Sequence, residues 1–338
     1  MNILLTSVGR RTYMIEYFKN ALGESGRVYA SNSVFTYSLT CADGYVLTPN
    51  IYDSDYIQFL LDYCKKKNIG AIISLFDIDL PILAKNKEAF KQAGIKVIVS
   101  DYKVTQICND KWKTYQFLKK QNINQVATFI HLEDAKNALK DQTISYPLIL
   151  KPRWGMGSIG IYSANNDEEL DVLYQKLRKE IFDTYLRYES AEDTTACVII
   201  QEKILGQEYG LDILNDLNQQ FTTCIAKKKI AMRSGETDIA QIVDSKPFLN
   251  LAKRISTSLL HIGNLDVDCF ITKENKLIVL EMNCRFGGQY PFSHNAGVNF
   301  PKQIIDWIEQ KPTNEALLIP KIGMISCKDI SIVELKKE

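Results

Sequence analysis

The sequence predicts an α/β protein that opens with a doubly wound parallel sheet, and three observations carry that reading. Strand and helix signals alternate through the first hundred residues. A strand at Ser145–Lys151 runs into a glycine-rich stretch that returns as another strand. A second strand pair, Val267–Thr272 and Leu277–Leu280, ends in the polar run Glu281-Met282-Asn283. The chain has 338 residues, 46% of them hydrophobic, which is enough to bury large cores in two or three compact units.

Ile3–Ser7 reads as an apolar strand, Val8-Gly9 as a turn, and Thr12–Leu22 as a helix with Tyr13, Ile15, Tyr17 and Phe18 at its apolar positions. Arg27–Ala30 is the next strand. Ser54 reads as the cap of a helix through Cys64, since Ile57, Leu60, Leu61 and Cys64 recur at helical spacing. Ala71–Phe76 and Lys96–Val99 are short β-rich runs on either side of a helix over Ile82–Ala93. Strands alternating with helices at these distances argue for a parallel sheet. Ligands of such sheets bind at the carboxyl ends of strands, so the loops Ser7–Arg11 and Asp77–Asp79 are candidate small-molecule contacts.

Asn109 opens a polar-capped helix, NDKWKTYQFLKK, with Lys111 in its first turn. A cation there opposes the helix dipole, which suggests that this lysine serves an anion. After the strand ending at Lys151, Gly155, Gly157 and Gly160 spell a dinucleotide fingerprint but run into the strand Ile161-Tyr162-Ser163 instead of a helix. The element is therefore a glycine hairpin whose backbone amides can close over phosphates, with Lys151 adding a fixed positive charge. A helix follows from Asp167, capped by Asn165 or Asn166. The strand Ala196–Gln201 leads to Glu202 and Glu208, two acids suited to the hydroxyl or amine donors of a nucleoside.

In the hairpin near residue 275, side-chain alternation puts Glu281 and Asn283 on one face, with Asp268 available from the partner strand. Three hard oxygen donors suit Mg²⁺. Arg285 lies further along that face, where a guanidinium can hold a phosphoryl oxygen or a carboxylate. Specificity is expected from the N-terminal loops and from Gly287–Asn299, where Tyr290, Ser293 and His294 are either substrate contacts or packing.

Forty-one basic against forty acidic residues leave a charge of +1, so nothing calls for nucleic acid or an anionic membrane as partner. No stretch has the length of a membrane span and the N-terminus carries no small-residue cleavage site, which predicts a cytoplasmic protein. Eight dispersed cysteines without a CxxC pair predict reduced, mostly buried thiols, and His131 and His261 read as structural.

The ordered set of Asp110-Lys111, Lys151-Pro152 with its glycine hairpin, QEKILGQEYGLD at 201–212 and VDCF…LIVLEMNCRFGG at 267–288 resembles the ATP-grasp superfamily. The resemblance is closest to the branch around the large subunit of carbamoyl phosphate synthase and the pyrrolysine-pathway ligase. It covers nearly the whole chain, including LLTSVGRR at the start. It implies an ATP-grasp fold with an N-terminal Rossmann-like (pre-ATP-grasp) domain over 1–105, an α+β lobe with a lid over 106–200 and a C-terminal α+β lobe over 201–338. By matching position, Lys111, Lys151, Gly155, Gly157 and Ser158 would hold phosphates, Glu202, Lys203 and Leu205 would read adenine, and Glu208 would take the ribose. Asp268, Glu281 and Asn283 would bind Mg²⁺, with Mn²⁺ as a substitute, and Arg233 and Arg285 would face the reacting groups. One departure is Asn122–Thr128, which lacks the proline-containing stretch expected there. The implied activity is an ADP-forming carboxylate–amine ligase acting through an acyl phosphate on small-molecule substrates, with a homodimer allowed. The alternatives are a carbamoyl phosphate synthase-like enzyme using bicarbonate or carbamate, and a nucleotide-binding regulator without catalysis.

Overall fold

The computed structural model describes residues 1–155 and 159–335, so Gly157 and Ser158 lie outside the described residues. Its strands form three sheets. The first holds β1 (Asn2–Thr6), β2 (Val28–Asn32), β3 (Gly44–Leu47), β4 (Ile69–Ser74) and β5 (Lys96–Val97), all parallel, in the order β3-β2-β1-β4-β5. The order reverses between β1 and β4, which opens a crevice at their carboxyl ends. Asp79, fully buried beneath it, accepts hydrogen bonds from Thr6 (2.5 Å), Ser7 (3.2 Å), Ser74 (2.8 Å) and Tyr56 (2.8 Å). Burial pushes this carboxyl above its ordinary range, and the four hydroxyl donors oppose that shift. The network ties the two crevice loops to one anchor.

Helix boundaries depart from expectation in three places. The helix read over Ile82–Ala93 is two, Asp79–Lys85 and Lys87–Gln92. They part at Asn86 (φ −106°, ψ 10°), whose side-chain amide donates to the Ile82 carbonyl at 2.8 Å and so competes with the helical ladder. The helix ending near Cys64 spans Tyr56–Lys66 and follows Asp55, with no side-chain cap from Ser54. Asn109 ends a preceding helix, Tyr102–Asn109. Asp110 is extended there and caps Lys111–Lys120 by accepting from the amides of Trp112 (2.9 Å) and Lys113 (3.3 Å).

The second sheet comprises β6 (Thr128–Phe129), β7 (Leu148–Pro152), β8 (Tyr162–Ala164) and β9 (Val198–Glu202) in the order β6-β9-β7-β8. β7 and β8 are the two antiparallel arms of the glycine hairpin, from Leu148 opposite Ala164 to Leu150 opposite Tyr162. Helix Asp167–Phe182, capped by Asn166, lays Leu170, Tyr174, Leu177 and Ile181 into this sheet's core.

The third sheet is antiparallel and carries β10 (Gly206–Asn215), β11 (Phe221–Arg233), β12 (Glu236–Val243), β13 (Gly263–Thr272), β14 (Leu277–Asn283) and β15 (Ile325–Cys327) in the order β14-β13-β10-β11-β12-β15. Two apolar cores each mix this sheet with the first: Leu4 and Ile72 share one with Leu211 and Val267, and Ile3 and Leu5 share the other with Leu214 and Ile225. This shared packing brings the β1 and β4 loops onto the β13–β14 hairpin. The divergent segment Asn122–Thr128 is held by the same hairpin, since the Val279 amide donates to the Asn124 carbonyl at 2.9 Å. Among the described residues no helix is long and apolar enough to cross a membrane.

Candidate active site

Register in the β13–β14 hairpin sets Asp268 opposite Glu281 and Asp266 opposite Asn283. From β11, the Lys229 ammonium reaches between two carboxylates, Glu208 on β10 (2.6 Å) and Asp268 (2.7 Å). Gln289 donates to Asp266 at 2.5 Å and Asp268 at 2.9 Å. Two glycines make room for this packing: a Cβ on Gly210 would stand 1.4 Å from the Gln289 amide oxygen, and one on Gly287 would stand 2.1 Å from the Asp266 carboxyl. The close approach allowed by Gly287 is thus made by the chain's own Asp266.

Lys111 and Lys151 enter from the second sheet's side. The Lys111 ammonium donates to the Gly155 carbonyl at 2.6 Å, and Lys151 lies 3.9 Å from Glu281. Asp110 and Arg153 make a buried two-pronged pair (2.9 and 2.8 Å), which fixes the start of the Lys111 helix against the root of the glycine hairpin. Gly155 has φ +105°, a region glycine tolerates, and a Cβ there would meet Leu186 at 2.5 Å.

The charges tune one another. Burial lowers Lys111 to about 8, with Glu281 pulling it up and Lys151 pushing it down. Lys151 is likewise depressed by burial. Burial would raise Glu281, but Lys151, Lys111, Lys229 and Arg285 together hold it below the ordinary range. Glu208 moves up, chiefly by burial against the pull of Lys229. Asp266 rises to about 7, from burial first and then the neighbouring Asp268 charge. For Lys229 burial favours the neutral form, yet Asp268 and Glu208 override it and keep the lysine charged.

Two cavities meet across Lys229, Asp268 and Glu281. The smaller, about 160 Å³, is lined by Lys111, Lys151, Gly155, Ile161, Glu208 and Met232 among others. The larger, about 600 Å³, extends toward the β1 crevice and is lined by Arg11, Tyr13, Glu236, Asn283, Arg285 and Gln289 among others. Arg285 donates to Asp77 at 2.7 Å and lies 3.8 Å from Asp266, and these two acids raise its pKa against the effect of burial. Arg11 has no carboxylate within ion-pair distance among the described residues; burial and then the Arg285 charge lower its pKa. It is a guanidinium held beside another without an acid of its own.

Of the residues singled out in the sequence, Lys111, Lys151, Gly155, Glu208, Asp268, Glu281, Asn283 and Arg285 line these cavities. Glu202, Lys203 and Leu205 do not. Glu202 accepts from the Ser145 amide (3.0 Å) and hydroxyl (3.2 Å), the Lys203 amide donates to the Pro147 carbonyl, and Leu205 is 69% exposed. Arg233 also stands apart, half exposed at the end of β11 and paired with Asp238 at 2.7 Å. The tail residues are packing: Tyr290 and Ser293 are fully buried, and His294 stacks on Tyr17 at 3.6 Å with its pKa lowered to about 4 by burial. Sequence reasoning passed over Lys229, Asp266 and Gln289. The two-residue spacing of Lys229 from Lys227, and of Asp266 from Asp268, was a usable strand-face signal for the first two.

Among the described residues, no three His, Cys, Asp or Glu side chains gather as a metal cage. The donor set is two register-paired carboxylates and an amide opening on one cavity. That set fits Mg²⁺, which keeps waters and phosphate oxygens in most of its coordination sphere, better than it fits an all-protein site.

Comparison with known proteins bears on the family and the fold. The ATP-grasp domain model matches residues 108–289, and the PylC-like N-terminal domain model matches residues 3–98. The D-alanine–D-alanine ligase of Thermotoga petrophila is 32% identical over 121 residues, 36% of this chain and 34% of that protein. The arginine-specific carbamoyl phosphate synthase large chain of Bacillus subtilis is 20% identical over 69% of this chain and 22% of its own. The matches thus span about a third or less of these curated relatives. Among solved structures, the Campylobacter jejuni biotin carboxylase β-γ-ATP complex shares the fold with a TM-score of 0.74 at 16% identity, over 96% of this chain and 75% of that one. With more than half of its residues under the ATP-grasp domain model, the chain belongs to the ATP-grasp family.

Proposed function

We propose that this protein is a Mg-ATP-dependent carboxylate–amine ligase that forms an acyl phosphate and releases ADP. The observation that carries the reading is the meeting of two cavities at Asp268, Glu281 and Lys229: one has the two lysines and the root of the glycine hairpin, the other has Arg285 and Arg11. In this reading ATP lies in the smaller cavity, with its terminal phosphates toward Lys111, Lys151 and the hairpin, and the acid lies in the larger one. Glu208 takes the ribose, and the adenine end extends beyond the cavity lining toward Glu202, Lys203 and Leu205. The division into 1–105, 106–200 and 201–338 corresponds to crevice, lid and metal lobe.

A carboxylate is a poor electrophile. Its oxygen attacks the γ-phosphorus, the bond to ADP breaks, and the resulting acyl phosphate is opened by an amine that expels phosphate and loses a proton. Mg²⁺ held by Glu281, Asn283 and Asp268 would neutralise charge on the phosphates. The chain's own task is positioning and charge compensation. Lys111 and Lys151 face the phosphates, Arg285 is oriented by Asp77, and Arg11, without an ion-pair partner among the described residues, supplies a guanidinium for the acid. Closure of the hairpin over the site would keep water from the acyl phosphate.

The test is incubation with Mg-ATP, pools of carboxylic acids and hydroxylamine in place of the amine, reading both the nucleotide product and the trapped hydroxamate. ADP with the hydroxamate of one acid is expected. AMP as the sole nucleotide would overturn the mechanism. The match to a carbamoyl phosphate synthase large chain favours a second reading, phosphorylation of bicarbonate or carbamate. ADP formation stimulated by bicarbonate and independent of any added acid would select it.

A further inference from the structure

Behind Trp154, which it shares as a wall with the nucleotide-side cavity, lies a third cavity of about 180 Å³, between the helices Asp79–Lys85 and Tyr102–Asn109 and the short helix Arg187–Ser190. Three part-exposed tyrosines, Tyr52, Tyr102 and Tyr188, and the buried Trp154 line it, together with Glu189 and Glu192. Tyr52 and Tyr188 stack with ring centroids 4.5 Å apart. The chain already places its own cations against this wall: Lys85 lies 4.6 Å from the Tyr102 ring centre, Arg187 4.9 Å from that of Tyr188 and Arg153 4.3 Å from that of Trp154. One Glu189 oxygen accepts from Asn109 at 2.6 Å. The other is buried with no hydrogen-bond partner among the described residues. An orphaned buried carboxylate oxygen is costly, and aromatic faces attract cations.

From this juxtaposition we propose that the cavity is a binding site for a small organic cation of the primary alkylammonium class, held by the tyrosine and tryptophan faces with Glu189 as counter-charge. The proposal does not rest on the ligase reading. A cavity of about 180 Å³ has room for a short alkylammonium. Glu192 is offset by Lys113 at 3.8 Å, so the counter-charge for a bound cation is Glu189, whose carboxyl burial pushes up to about 7 and which a bound cation would hold ionised. A neutral alcohol of the same length offers the same apolar contact without the charge, which makes it the natural control.

Trp154 reports on occupancy because it lines this cavity and the nucleotide-side one alike. The experiment titrates the full chain carrying Trp112→Phe and Trp307→Phe with n-butylammonium chloride or n-butanol at constant ionic strength, following fluorescence and heat. Saturable binding of butylammonium alone is expected. Glu189→Gln and Tyr188→Ala should each weaken it about tenfold, with Mg-ADP affinity within about twofold of the parent. Any of three results would overturn the site: no saturation, an equal response to butanol, or binding unchanged in both variants, with retained Mg-ADP binding as the check that each variant is folded.

Discussion

Two lysine–carboxylate pairs lie two residues apart on β11, and they divide the third sheet into a sealed half and a working half. Lys227 pairs with Asp212, both fully buried, and Ser293 and Asn264 complete the shell around them. Lys229 pairs with Glu208 and Asp268, whose side chains keep 23% and 16% of their exposure and open onto the cavities. The residue types are the same and the strands nearly so. What differs is what covers them: Ser293 and the helix from Tyr290 close over the first pair, while cavity stands beside the second. A buried ion pair closed off from solvent serves packing, and one with a wall missing is available to a ligand.

The largest expected effect breaks the sealed pair. Lys227→Ala leaves the Asp212 charge buried without its counter-ion, and breaking such a pair costs about 3–5 kcal/mol. Chemical denaturation should show a loss of that order. A stability within about 1 kcal/mol of the parent would mean that Asp212 is reached by water, and the contrast with Lys229 would vanish.

On the working half, Glu281→Gln keeps shape and removes the charge that Lys151, Lys111, Lys229 and Arg285 hold ionised. ATP turnover should fall by about two orders of magnitude or more while the thermal midpoint stays near that of the parent, since loss of a key electrostatic stabiliser has that scale. Undiminished turnover would remove Glu281 from the reaction.

The same contrast explains what could be read in advance. The parallel sheet, the glycine hairpin and the Asp268–Glu281 facing were legible because each is a local pattern: strand–helix alternation, glycines between two β runs, two-residue spacing on a hairpin. Lys229 was not, because the run Lys227-Lys228-Lys229 looks like a solvated face until the partner strands bury its first and third members. Gln289 escaped for a different reason. Its place depends on Gly210, far away in sequence, and no local pattern reports that meeting. The cap at Asp110 was read one residue early because Asn and Asp cap equally well, and only Arg153 across the sheet favours Asp110.

A smaller effect concerns Lys111, which burial lowers to about 8. Binding a polyphosphate favours the charged form, so nucleotide binding near pH 8 should take up a proton, and affinity should fall as pH rises through that value. Between pH 7 and pH 9 the charged fraction of a group with this pKa drops about tenfold, which bounds the expected loss. Calorimetry in buffers of different ionisation enthalpy measures the uptake. Lys111→Arg, always charged, should abolish it. Uptake that persists in the arginine variant belongs to another group.

The smallest effect is expected at Arg233. It stands half exposed, paired with Asp238, at the end of β11 where Ser234 (φ 50°) and Gly235 (φ 77°) turn the chain into β12. An exposed pair of this kind contributes about 0–1 kcal/mol. Arg233→Ala should therefore leave stability nearly unchanged and turnover within about twofold if the turn keeps this position during the reaction. Its neighbours Met232 and Gly235 line the nucleotide-side cavity, however, so a modest inward movement of the turn would bring the guanidinium to the phosphates. Steady-state turnover beside a melting curve separates the two cases. A fall of about a hundredfold with an unchanged melting point would show that the β11–β12 turn closes over the reacting groups and would return Arg233 to the working half of the sheet.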